Sequence, residues 1–252
     1  MRSPLVDALR LDSSPIAVIL TDDAPEGALR FKEGRWGCVG STMTAVSKGR
    51  TAVFDRKTFG CPGGGVGLGF GDQYTECDFD IKSLLSTGNP DADAGRRLMG
   101  TGERFFKSPE LVAKWLDSVP MTDVPTEFVV LKPFELVAED ETPALVVFLV
   151  DADRLTALVV MSDYARGSGE STVVRFGGAC QSIVFGYAEA LRDQPRGVIG
   201  FLDVSQRKHV GRETLSFTAP WSLFREMQGN VAGSFLETDD WTQLMEKRAI
   251  GT

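Results

Sequence analysis

The chain has one histidine, His209, among 252 residues. A single imidazole excludes multi-histidine zinc sites and leaves Cys–His dyads and Ser–His–Asp triads without material. No apolar run approaches the roughly 20 residues that a membrane-spanning helix needs. Basic runs and aromatic–basic stripes are also missing, and 27 Lys and Arg against 35 Asp and Glu leave a net charge of −8. A surface of that sign repels phosphate backbones and anionic lipid, so nucleic acid and membranes are excluded as partners. The opening MRSPLVDALRLDSSP lacks the apolar core of a signal peptide. The expected localisation is therefore cytoplasmic, where cysteines stay reduced. Repeats, low-complexity tracts and a linker are absent too, so residues 1–252 are expected to form a single domain with a sizeable core.

What is present reads as an α/β or α+β fold: a mixed β-sheet flanked by helices, with a glycine-rich, irregular N-terminal half. Short runs rich in β-branched residues predict strands at 16–20, 51–54, 127–131, 144–150, 172–176, 197–202 and 214–217. Helices are predicted between them. Leu5, Ala8 and Leu9 share one face of a short N-terminal helix. Ser108, Pro109 and Glu110 form a full start signal, and Asp151 or Asp153 opens another helix. Ile183, Val184, Tyr187, Ala188 and Leu191 line one face of a helix after Cys180. The stretch 86–103 is rich in helix breakers and predicts a long loop of the functional kind.

The sharpest feature is FGCPGGGVGLGF, residues 59–70. A phosphate-binding P-loop needs Lys and Ser or Thr directly after its glycines. Here Phe70, Gly71, Asp72 and Gln73 follow Gly69, and a G-x-G-x-x-G register is not met. The glycines then predict close backbone approach around the Cys61 sulfur, with Gly63, Gly64 and Gly65 offering N–H donors. Two further cysteines share this setting. Cys38 lies between Gly37 and Gly40, and Cys180 follows Gly177 and Gly178 at the mouth of a helix, where partial positive charge favours a thiolate. Cys77 lies among acidic residues with no glycine neighbour.

These segments carry a family resemblance. WGCV, FGCPGGGVGLGF, SLLSTGN, GTGERFFKSPE, FVVLKPFE, GGACQSI, GFLDVSQR and WSLFREMQGNVAGSFL occur in order along nearly the whole chain. In this the sequence resembles the domain of unknown function family 169, an uncharacterised ArCR group. The family's motif cysteines map onto Cys38, Cys61 and Cys180. Dispersed, glycine-flanked cysteines of this kind suggest an iron–sulfur protein, with a [4Fe-4S] cluster favoured. The expected metal ligands are Cys38, Cys61 and Cys180, with Cys77 as a fourth, and Gly63, Gly64, Gly65 and Gly178 lie against the cofactor. Zinc is less favoured, because its usual paired C-x2–4-C knuckles are absent. The partners would be a small molecule or a redox partner protein, and the activity that of an oxidoreductase or cluster-dependent enzyme. The alternatives are a metal-free small-molecule or anion pocket at the CPGGG loop, and a thiol enzyme with Cys61 or Cys180 as nucleophile.

Other chemistry-bearing residues have plainer expectations. His209 reads as an exposed turn residue. Asp203 and Arg207 follow a strand end, where ligands collect in α/β sheets, yet an i,i+4 surface ion pair explains them better. Glu103 is either an acid or base or a loop anchor. Lys132 is a candidate anion contact, and Met99, Trp115, Trp221 and Trp241 read as core.

Overall fold

The structure is a computed structural model in which residues 1–89 and 100–250 are described. The predicted strands all form: β1 (Ile16–Thr21), β2 (Ala52–Phe54), β3 (Phe128–Pro133), β4 (Leu145–Val150), β5 (Thr172–Val174), β6 (Gly197–Gly200) and β7 (Leu215–Pro220). They join into one seven-stranded mixed sheet of order β2-β3-β1-β4-β7-β6-β5. Its neighbours are antiparallel, except that β5 and β6 run parallel. The helices are α1 (Pro4–Leu9), α2 (Val39–Val46), α3 (Pro62–Leu68), α4 (Ile81–Leu85), α5 (Pro109–Leu116), α6 (Ala152–Asp163), α7 (Gln181–Ala190), α8 (Trp221–Gly229) and α9 (Asp239–Ile250). The fold is α/β. Among the described residues no helix is long and apolar enough to cross a membrane.

Strand side chains alternate between two cores, as the two-residue period requires. Ile16, Val18, Val129, Leu131, Leu145 and Val147 join one core with Val39, Met43, Val66 and Ile183 from α2, α3 and α7. Ala17, Ile19, Val130, Val146 and Phe148 join the other with Leu5, Leu158, Phe224 and Met245 from α1, α6, α8 and α9. Both faces are covered, which explains why the central strands are almost continuously apolar. The helix starts follow local chemistry: Ser3 caps α1 by accepting from the Val6 amide, and Asp151 caps α6 by accepting from that of Arg154. Part of the expected 86–103 loop, residues 90–99 with Met99, lies outside the described residues.

One expectation of shape is corrected. The CPGGG stretch is a helix, α3, not a bare loop. Pro62 takes the first helical position and Gly69, at φ 90°, ends the helix in the left-handed conformation. Each interior glycine costs about 1 kcal/mol of helix propensity. Tertiary packing outweighs that cost: a Cβ on Gly67 would lie 2.8 Å from the Cys180 carbonyl carbon, and one on Gly64 would lie 2.6 Å from the Phe59 carbonyl oxygen. The glycines let α3 lie against the start of α7.

Candidate functional site

Three helices on one face of the sheet begin at cysteines. Cys38 caps α2, Cys61 caps α3, and Cys180 heads α7. The Cys38 sulfur accepts from the Ser41 amide at 3.3 Å and donates its S–H to Gln206 Oε1 at 2.9 Å. The Cys61 sulfur accepts from the Gly64 amide at 3.3 Å. Cys180 is 8% exposed and donates its S–H to the Gly63 carbonyl at 3.1 Å. Glycine makes the convergence possible. A Cβ on Gly40 would press on that of Ala179 at 2.9 Å, and one on Gly60 would lie 2.7 Å from the Gly37 carbonyl oxygen.

The remaining groups come from other parts of the chain. Asp203 follows β6, as Cys180 follows β5, so both leave the same end of the parallel strand pair. Its carboxylate accepts from the Ser205 amide and hydroxyl, both at 2.8 Å, and opens the 3₁₀ turn Val204–His209. Glu103 is held by its own amide, which donates to the Leu84 carbonyl at the end of α4. Its side chain also bonds to Ser205. The buried Tyr74 hydroxyl accepts from Gln181 Nε2 at 2.7 Å, and Gln181 Oε1 accepts from the Gly178 amide. Two non-glycine residues beside the carboxylates adopt positive φ: Arg104 at 59° and Phe201 at 62°. Backbone strain of this kind concentrates at functional sites, and for a buried aromatic it is an outlier.

Burial and mutual charge set the protonation states. Burial pushes the Cys61 thiol up to about 11, and the nearby Cys38 and Glu103 charges add to this, while amide bonds from Gly64 and Gly63 oppose it. Burial, then Cys61, Cys38 and Asp203, hold the Cys180 thiol well above the ordinary range. Tyr74 is raised by burial and then by Cys180, Cys61, Asp203 and Glu103. Glu103 is raised to about 7, first by burial and then by Asp203, with the Ser205 bond opposing. The charges acting on these groups are thus one another's, and of one sign.

The expectation of an iron–sulfur, metal-binding protein is overturned. Among the described residues no group of three or more His, Cys, Asp or Glu side chains is arranged to hold a metal ion. A cluster needs thiolates aimed at one shared point. Here the S–H groups of Cys38 and Cys180 are spent on protein oxygens. Cys77, the expected fourth ligand, donates instead to the Tyr74 and Phe79 carbonyls. The four expected cofactor glycines lie at the site. The amides of Gly64, Gly65 and Gly178 are bonded within the chain, and the Gly63 carbonyl accepts from Cys180.

Other expectations resolve simply. His209 is exposed. Asp203 and Arg207 do not pair: Arg207 donates to the Thr214, Gly211 and Arg212 carbonyls, and Asp203 belongs to the site. Lys132 pairs with Glu141 at 2.6 Å. Trp241 is buried, whereas Trp115 and Trp221 are half-buried. Sequence reasoning missed Tyr74, Gln181, Ser205 and Gln206, whose residue types carry no signal without the tertiary contacts.

Residues 4–230 match the model of a protein family described as DUF169, uncharacterised ArCR. No curated protein and no solved structure matches the chain.

Proposed function

We propose, for a chain that belongs to the uncharacterised ArCR family, that it is a thiol enzyme: Cys61 adds to an electrophilic carbon of a small molecule, and Glu103 carries the proton. The observation behind this reading is the meeting of three cysteine-headed helices with the Glu103–Asp203 carboxyl pair. Cys61 is the thiol suited to attack. Cys38 and Cys180 commit their S–H groups to Gln206 and Gly63, whereas the Cys61 sulfur is an acceptor from the Gly64 amide. Amide donors stabilise a thiolate as it forms.

With the thiol at about 11, Cys61 rests protonated and needs a base. The lone histidine is exposed at the end of the Val204–His209 turn, and a carboxyl near 7 is suited to the task. In the step, the thiol proton passes to the Glu103 carboxylate and the sulfur forms a bond to the electrophilic carbon. The π pair of that carbon moves to its neighbouring atom, which then takes the proton back from Glu103. No electron acceptor is needed. An anion pocket is less well supported, because the loop amides are engaged and the neighbouring charges are carboxylates.

Iodoacetamide labelling followed by peptide mass spectrometry tests the reading. Cys61 should label ahead of Cys180, at a rate that rises with pH and levels off near 7 as Glu103 ionises. In Glu103→Gln the plateau should vanish and the rate at pH 7.5 should fall by about tenfold or more. A Cys61 that does not react, or an unchanged profile in Glu103→Gln, would sink it.

A further inference from the structure

The surroundings of the thiols point to a class of substrate. We propose that the site takes an organic cation, a small molecule carrying an ammonium group beside an apolar portion. This rests on the thiol-enzyme reading and extends it to what the site selects.

Charge is the first ground. Cys61 and Cys180 rest protonated, so of the ionisable groups that act on Cys61 and Tyr74 the Glu103 and Asp203 carboxyls are the ones that bring charge, and it is negative. A substrate anion meets the same repulsion, and a cation relieves it. At short range in a partly buried site such effects outweigh those at an exposed surface.

Exposed aromatic surface is the second, independent ground. Trp36 lies two residues before Cys38, and the Gly37 carbonyl beside it abuts Gly60. Trp36 is 69% exposed, yet its ring meets that of Phe79 at 6.0 Å between centroids. Phe176 is 36% exposed, lies four residues before Cys180 and packs on Trp115, which in turn meets Tyr74 at 6.5 Å. Phe105, two residues after Glu103, meets Phe176 edge to face at 5.5 Å. The Phe176 carbonyl also accepts from Trp115 Nε1 at 3.1 Å. Partly exposed aromatic side chains therefore adjoin, along the chain, the segments that carry the thiols and Glu103. Open tryptophan and phenylalanine faces bind ammonium groups through the ring quadrupole, and they do so more strongly where carboxylates lie close.

Three methanethiosulfonates of different charge provide the test. Each transfers its RS group to a thiol and releases methanesulfinic acid, so the reaction needs no further reagent. Rates at Cys61 are measured for the trimethylammonium-ethyl, methyl and sulfonatoethyl reagents, each divided by its rate with a free cysteine peptide. The cation-to-anion ratio should exceed that of the peptide by at least tenfold. It should fall towards the peptide value in Glu103→Gln/Asp203→Asn and in high salt. Benzyltrimethylammonium chloride should slow iodoacetamide labelling of Cys61 where sodium benzenesulfonate does not, and Trp36→Ala should weaken that protection. Equal or anion-favouring ratios at a reactive Cys61 overturn the cation assignment and leave the thiol reading standing. A Cys61 inert to all three reagents overturns both.

Discussion

At the scale of single residues, Glu103 decides the most. Its carboxyl is raised from 4.5 to about 7, mainly by burial and then by Asp203, so the fold disfavours its ionised form. The unfolded chain releases this proton near 4.5 and the folded chain near 7. Stability is therefore lost as pH climbs through that window, and the loss persists above it. At full burial a rise of this size is worth ~3 kcal/mol. Glu103 is only half-buried, and screening reduces this to about 1–2 kcal/mol. Glu103→Gln should be the more stable protein at pH 8 by that amount, with the difference shrinking towards pH 5. Urea midpoints at the two pH values measure it, and a wild type that gains on the variant as pH rises would contradict the burial of this carboxyl. Glu103 was legible in the sequence as an acid or base candidate because a carboxylate stands out after a glycine-rich stretch. Its tuning was not legible, since Asp203 lies 100 positions away and comes near only through the fold.

At the scale of elements, α3 shows why composition misleads. Five of its seven residues would be poor helix formers alone, and PGGGVGL reads as a turn. The helix exists because its glycines meet backbone from elsewhere. Gly67→Val would thrust its side chain at the Cys180 carbonyl, where a Cβ already comes within 2.8 Å. Backbone cannot rotate out of the way, so the variant should lose ~3 kcal/mol and separate Cys180 from α3. Gly229, the last residue of α8, has nothing within 4 Å of its Cβ position. Gly229→Ala should be neutral or stabilising by up to about 1 kcal/mol. Thermal denaturation of the pair makes the comparison, and equal effects would mean that α3 glycines act through propensity, not close approach. Elsewhere sequence and element agree. Ser108–Pro109 opens α5 and Asp151 opens α6, because capping depends on neighbours along the chain.

At the scale of the molecule, the sheet divides two cores, and few polar links tie the N-terminal helix to the core without α2 and α3. Arg154 is one. Its guanidinium, 11% exposed, donates to the Leu9 and Arg10 carbonyls at the end of α1 and to the Asp151 carboxylate. Arg154→Ala leaves these carbonyls and the carboxylate without their partner, which should cost about 3 kcal/mol. Urea denaturation should show that loss, and amide exchange should show α1 opening before the central strands. Unchanged exchange in α1 would mean that Leu5 and Leu9 hold it unaided.

The sequence by itself determined the seven strands, most helix starts, a mixed sheet flanked by helices, the family and the three cysteines that share a site. Each of these rests on short-range information: β-branched runs, capping residues, or motifs read in order along the chain. Tertiary structure alone decided what the cysteines face. Sulfur chemistry depends on which atoms lie nearby: Gln206 and Gly63 reach Cys38 and Cys180 across more than 100 positions, and the charges of Glu103 and Asp203 act on Cys61 and Cys180 from other segments of the chain. The same glycine-flanked cysteines would suit a metal cluster if their sulfurs shared an open point. Bonded to carbonyl oxygens and amides and with carboxyls near by, they form a desolvated thiol site, and that difference is a matter of where side chains point after folding.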